Sequence, residues 1–157
     1  MKDTDRDITV EIADIHSAEA LDLIRAMSQE MAELYNEEGF SSLVPARMDD
    51  PRSAFVIVRF RGQPAGCGAL RPLEGNIGEV KRMYVVPALR GRGIARRILE
   101  AIETCARQLG YIALQLETGT LQPQAVRLYE RVGYHRIECY DEYAGSPLSI
   151  CFAKELW

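Results

Sequence analysis

Apolar and polar residues alternate across residues 8–12, the period of a strand with one buried face. Ser17 then stands where a helix N-cap belongs. Behind it Ala20, Leu21, Ile24, Met27, Met31 and Leu34 recur at helical spacing, so a helix is expected with this stripe in the core. From residue 36 to residue 52 the periodicity stops while Gly, Ser, Pro and Asp accumulate, which predicts a surface loop with a short turn of helix. Residues 54–60 and 65–70 are strand-like runs separated by Arg-Gly-Gln-Pro, the signal of an antiparallel hairpin. Residues 78–86 extend the sheet until Pro87 ends the strand.

The next helix opens at Gly91, buries Ile94, Ile98, Ala101, Ile102, Cys105 and Leu109, and closes at Gly110. Glu103 and Arg107, four residues apart, are expected to pair on its solvent side. Residues 111–117 form an apolar run suited to an interior strand, and Pro123 sits well in the first turn of a helix ending before Gly133. Residues 134–140 and 148–154 would complete the sheet. Neither a repeat nor a linker interrupts the pattern, so residues 1–157 read as one α/β domain, a mixed sheet with helices on both faces.

A chain of 157 residues buries roughly 70% of the surface exposed by its unfolded form, enough for a core without a staple. Cys67, Cys105, Cys139 and Cys151 lack metal-ligand spacing, and no leader or long apolar span is seen, so a reducing cytoplasm is expected and neither a membrane nor a metal is implied. His16 and His135 read as ordinary residues, with no partners at triad or zinc spacing. Cys67, Cys139 and Cys151 are assigned to strands and Cys105 to a helix stripe, which disfavours an acyl-enzyme nucleophile. A net charge of -4 and a pI near 5.3 argue against a nucleic-acid partner. The basic charge is local, concentrated in RGRGIARR, and no aromatic platform interleaves it. An anionic small molecule suits it better.

That cluster is where the chemistry concentrates. A strand, a glycine-rich turn and a helix start follow one another, and a helix start offers unpaired N–H groups with partial positive charge. Gly91 and Gly93 carry no side chains to keep a phosphate from those donors. A nucleotide triphosphatase loop would need Lys and then Ser or Thr after the last glycine, where Ile94 and Ala95 stand. A dinucleotide fingerprint would need a third glycine at Arg96, although Glu117 lies where a ribose-binding acid could fall. The pattern Arg90-x-x-Gly93-x-Ala95 resembles the acyl-coenzyme A pyrophosphate loop of the GNAT superfamily of N-acetyltransferases. GEVKRMYVVP upstream resembles that family's central strand, and QPQAVRLYERVGYHRI downstream its last helix and following strand. The likeness runs from about Ser53 to the C-terminus and is looser before it.

The resemblance implies a GNAT-like fold: one mostly antiparallel mixed sheet splayed between its fourth and fifth strands. It implies acetyl-coenzyme A as the acyl donor, coenzyme A as product, and direct transfer to a primary amine of a small molecule or peptide through a ternary complex. Backbone groups of Arg90, Gly91, Arg92, Gly93, Ile94, Ala95 and Arg96 would hold the pyrophosphate, and Met83, Tyr84 and Val85 would align the pantetheine arm. Tyr129 falls where the family carries the tyrosine that protonates the leaving thiolate; a phenol of pKa about 10 stays protonated at neutral pH. Without the family, Tyr129 reads as a core residue.

Glu79, eleven residues before Arg90, is a candidate base, with a structural Glu79–Lys81 ion pair as the alternative and a bulge as the feature that would change its facing. Gln122 stands where relatives have an asparagine that contacts the cofactor arm. For the acceptor, Arg71, Lys81 and Arg82 would favour an amine bearing a carboxylate, whereas Asp141, Glu142 and Tyr143 would favour a cationic group. A non-catalytic acyl-coenzyme A sensor is the alternative function. A homodimer follows from the resemblance alone; the final strand and its preceding loop either pair with another subunit or cover their own sheet edge.

Overall fold

The computed structural model describes residues 4–35 and 49–157. Most of the loop expected at residues 36–52 therefore lies outside the described residues. A short helix α1 (Thr4–Asp7) leads into β1 (Ile8–Ala13), and Ser17 caps α2 (Ala18–Tyr35), its Oγ accepting the Ala20 N–H at 3.2 Å. The hairpin follows as β2 (Ala54–Phe60) and β3 (Gln63–Pro72). Its turn is tighter than expected. Arg61 and Gly62 both have positive φ, 51° and 84°, the two-residue turn whose twist matches that of the strands, so Gln63 and Pro64 join β3.

The second half contains β4 (Ile77–Val85), a 3-10 turn at Pro87–Leu89, α3 (Ile94–Gln108), β5 (Ala113–Gly119), α4 (Pro123–Arg131), β6 (His135–Ile137), a 3-10 turn at Asp141–Tyr143 and β7 (Ser149–Glu155). All seven strands form one sheet in the order β1-β2-β3-β4-β5-β7-β6. Every pair is antiparallel except β4 with β5. That parallel pairing runs only from Ile77↔Ala113 to Val80↔Leu116, so the C-terminal half of β4 leaves β5 and the sheet splays there.

The sheet separates two apolar layers. On one face α3 and α4 pack over Val56, Leu70, Val80, Leu114, Leu116 and Phe152. On the other, α2 packs over Phe55, Ile57, Cys67, Ala69 and Tyr84. Close approach of α3 relies on glycine at Gly68, where a Cβ would stand 2.6 Å from Ile98 and 2.8 Å from Ile102. Among the described residues no helix is long and apolar enough to cross a membrane.

Several sequence expectations change. The stripe of α2 buries Ala20, Leu23 and Met27, with Ile24 and Met31 partly covered, whereas Leu34 is 41% exposed. Glu103 does not meet Arg107 on the surface. It is buried, accepting from Tyr134 Oη at 2.9 Å and from Lys154 Nζ at 3.1 Å, while Arg107 Nε donates to Leu156 O. The strand expected at residues 134–140 pairs only through His135–Ile137, so Cys139 lies beyond it. The pairing Ile137↔Cys151 carries Cys139 alongside β7, and Cys139 and Cys151 form a disulfide. A twelve-residue separation is no recognisable motif; the register creates the bond, and only Cys67 and Cys105 are free thiols.

Candidate functional site

The parting of β4 from β5 is where the sequence-predicted residues converge. Val85 ends β4, Pro87–Leu89 turns once, and the chain passes through Gly91 (φ 83°) and Gly93 (φ 80°) into α3. Both glycines occupy the left-handed region, and nothing lies within 4 Å of where a Cβ would stand at either. The space before the helix is open. Gly93 is the N-cap without a side-chain cap, and the first backbone bond into the helix runs from Arg97 N–H to Gly93 O at 3.2 Å. The N–H groups from Gly91 to Arg96 thus have no intrahelical acceptor and stand at the positive end of the helix dipole.

The arginines around this turn serve it differently. Arg90 folds back, its Nε donating to Val85 O at 2.9 Å and its Nη2 pairing with Glu30 of α2 at 2.8 Å, so it pins the loop and offers only its backbone to the opening. Arg92 lies over Phe60 at 5.1 Å, and Arg96 meets Glu100 at 3.5 Å on the helix surface. Along the free edge of β4, Tyr84 is buried under α2 and Met83 is half-buried toward α3.

Tyr129 approaches the split from the α3 side. It is 5% exposed, packed against Phe152 at 5.9 Å and against the edge of Tyr134 at 5.8 Å. Phe152 pairs with Leu116, the last β5 residue still bound to β4, which sets the tyrosine beside the point of separation. Burial, and then the charge of Glu117, hold its phenol well above the ordinary tyrosine range, so it keeps its proton throughout neutral pH.

The α2 side carries the titratable groups. Glu79 is 1% exposed and aligned with Gln115 of β5. Its Oε1 accepts from Arg71 Nε at 2.7 Å and its Oε2 from Tyr140 Oη at 2.8 Å. The expected Glu79–Lys81 pair is absent because β3 brings Arg71 directly opposite Glu79; Lys81 Nζ instead donates to Tyr143 Oη at 2.6 Å. A bulge does occur in β4, but past Lys81. Between the pairs Ala69↔Lys81 and Cys67↔Tyr84 the strand carries Arg82 and Met83 against the single residue Gly68, with Arg82 at φ 59°. Glu79 therefore keeps its regular facing.

Across the split, Glu117 accepts from Ser149 Oγ at 2.7 Å, and desolvation lifts its carboxyl above the usual range. Burial pushes Lys81 down. Gln122 begins α4, its Oε1 accepting from Gly119 N–H and Tyr35 Oη, both at 3.2 Å, so it ties the end of α2 to the β5–α4 turn. Sequence reading did not find Tyr140 as the partner of Glu79: Tyr140 was assigned to a strand, and its contact spans sixty-one residues. Glu142 and Asp141 are exposed, and a separate cavity of about 430 Å³ lies beyond the disulfide, lined by Arg136, Glu138, Ser146 and Ser149 among others.

The model of the acetyltransferase (GNAT) family matches residues 19–134. The chain is 38% identical to an IAA acetyltransferase of Azospirillum brasilense over 135 residues, 85% of this chain and 88% of the relative. It is 28% identical to the N-acetyltransferase YsnE of Bacillus subtilis over 94% of this chain and 99% of the relative. Among solved structures, a Klebsiella pneumoniae protein named as an acyl-CoA N-acyltransferase superposes with a TM-score of 0.80 and 32% identity, covering 96% of this chain and 98% of its own. A GNAT acetyltransferase of Elizabethkingia anophelis with acetyl-CoA bound shares the fold at a TM-score of 0.68 and 16% identity, over 95% and 98% of the two chains.

Proposed function

Because the chain belongs to the GNAT family of acetyltransferases, we propose that it transfers the acetyl group of acetyl-coenzyme A directly to a primary amine in a ternary complex. One observation carries this reading: the unpaired N–H groups from Gly91 to Arg96, the free edge of β4 and the Tyr129 phenol all border one parting of the sheet.

The residues present fit the donor. Two left-handed glycines leave open space before the dipole of α3, where a diphosphate is bound by backbone N–H groups rather than by side chains. Met83, Tyr84 and Val85 offer a strand edge not paired with β5, able to hydrogen-bond the amides of the pantetheine arm. Gln122 Oε1 is committed to Gly119 and Tyr35, so its contribution toward the arm is the amide nitrogen. When bound, the thioester supplies an activated acetyl carbonyl and a thiolate leaving group.

On the α2 side, Glu79 takes the proton of the acceptor amine. Each of its oxygens already accepts one bond and retains a lone pair. With the carboxylate 1% exposed, that proton reaches it through one water rather than by direct contact. On the α3 side, Tyr129 Oη gives its proton to the departing sulfur. Its raised affinity for that proton keeps the donor loaded at every neutral pH. Acid and base thus stand on opposite faces of the sheet with the opening between them.

The experiment is a screen of amines by release of free thiol, followed by Tyr129→Phe. The Tyr→Phe change should lower kcat by about 10²-fold, the lower end of a general-acid contribution, while the dissociation constant for acetyl-coenzyme A stays within about twofold. Equal loss of turnover and of cofactor binding would make Tyr129 a packing residue and remove the acid from this mechanism.

A further inference from the structure

Arg82 breaks two rules at once. It is a non-glycine residue at φ 59°, a left-handed conformation that side chains other than glycine rarely adopt. Arg82 is only 7% exposed, and its Nε and Nη2 are buried with no hydrogen-bond partner among the described residues. A buried cation without a counter-ion is among the costliest arrangements in a folded protein.

The neighbours explain why the charge stays unpaired. Arg71 is committed to Glu79, and Lys81 donates to Tyr143. The carbonyl of Arg82 accepts the Cys67 thiol at 3.3 Å, which fixes the backbone but does nothing for the side chain. Lys81 feels the charge of Arg82, and Arg82 feels that of Tyr143, so its charged end lies near the Lys81–Tyr143 hydrogen bond. Burial lowers its pKa to about 10, and it remains charged at neutral pH. Because β4–β5 pairing stops at Val80, Arg82 also sits two residues inside the parted segment.

The shape of the unsatisfied surface is specific. Nε and Nη2 lie along one edge of the guanidinium, the edge whose two N–H bonds grip both oxygens of a carboxylate. A cationic acceptor would instead bring a further positive charge toward Arg71, Lys81 and Arg82. Resting on the acetyl-transfer reading above, we propose that Arg82 anchors the carboxylate of the acceptor, so that the substrate is a small amine that also carries a free carboxylate, an amino acid in the broad sense. The β4 bulge sets the backbone from which this side chain departs, and the acceptor delivers a counter-charge that Arg82 lacks among the described residues.

The test pairs α-amino acids and ω-amino acids with their own carboxamides as acceptors, with coenzyme A release as readout. The unsubstituted enzyme should use at least one acid with a KM about a hundredfold below that of its amide. In Arg82→Gln, where only a neutral donor remains, KM for that acid should rise by about a hundredfold, the scale for removing one partner of a buried charge pair. The amide-to-acid ratio of KM values should then fall toward one, and Arg82→Lys should restore part of it. A purely structural role would not move this ratio.

Equal use of acid and amide by the unsubstituted enzyme overturns the anchor and needs no variant to fold. So does a ratio unchanged in Arg82→Gln. Both leave acetyl transfer standing, because thiol is still released. Absence of thiol release with every amine, together with no calorimetric heat for acetyl-coenzyme A, defeats the underlying reading instead.

Discussion

Replacement of Lys154 by Met tests what holds α4, and with it Tyr129, onto the sheet. Lys154 Nζ donates to both oxygens of Glu103, at 3.1 and 3.2 Å, and to Val132 O at the end of α4, at 2.9 Å. That Nζ also stands 5.5 Å from the centre of the Tyr134 ring, which Tyr129 meets edge-on. Methionine keeps most of the stem and removes the charge. Glu103 would then be left buried with one donor, Tyr134 Oη at 2.9 Å. Stranding one member of a fully buried pair costs about 3–5 kcal/mol. The pair here has side-chain exposures of 23% and 9%, and the phenol remains, so about 2–3 kcal/mol is the working figure once solvent screening is allowed for. For a chain of this length that lowers Tm by about 5–10 °C.

The companion variant decides the cause. Lys154→Met with Glu103→Leu removes the stranded carboxylate as well and should recover most of the loss, since an apolar pair of similar volume satisfies the same space. Thermal and urea unfolding followed by circular dichroism measure both. A single variant within about a degree of the parent, or a double variant less stable than the single, would refute the electrostatic account and leave only packing.

Two further outcomes follow from the cysteines. Reduction of the Cys139–Cys151 bond, which spans twelve residues, should cost about 2–3 kcal/mol by loop-closure entropy; the check is a melt with and without reductant, compared with Cys139→Ser, and an unchanged Tm would show that the bond constrains nothing. Burial pushes the Cys67 thiol up to about 12, leaving about one molecule in ten thousand as thiolate at pH 8. Cys105, only partly buried, should therefore react with an alkylating reagent in native buffer while Cys67 waits for denaturant; equal rates, read by mass spectrometry, would contradict the burial.

How much the sequence disclosed depended on how local the physics was. The hairpin, α3 and the glycine turn are decided within a few residues, and all three are present, although the hairpin turns on two residues rather than four and α3 begins at Ile94, past the expected start at Gly91. Glu103 misled for a physical reason: four-residue spacing to Arg107 suggests a surface pair, but β7 lies beneath α3 and offers Lys154 to a side chain fifty-one residues away. The partners of Glu79 escaped similarly. Alternation within β4 pointed to Lys81, whereas Arg71 arrives through strand register and Tyr140 through a segment that leaves the sheet after Ile137. Among the expected acceptor residues only the fold separates Arg82, since a strained φ and unpartnered guanidinium nitrogens leave no trace in composition.

The single parallel contact in the sheet has a wider consequence. Two neighbouring strands that run the same way cannot be joined by a tight turn; the chain must return to the starting end, and here α3 makes that journey. Its first turn is thereby obliged to sit at the far end of β4, where that strand departs from its neighbour. The opening proposed for the anionic donor is thus an outcome of connectivity, fixed before any particular side chain is chosen. Segments from the other half of the chain, such as α2 and the stretch following β6, remain at liberty to diversify what is acylated.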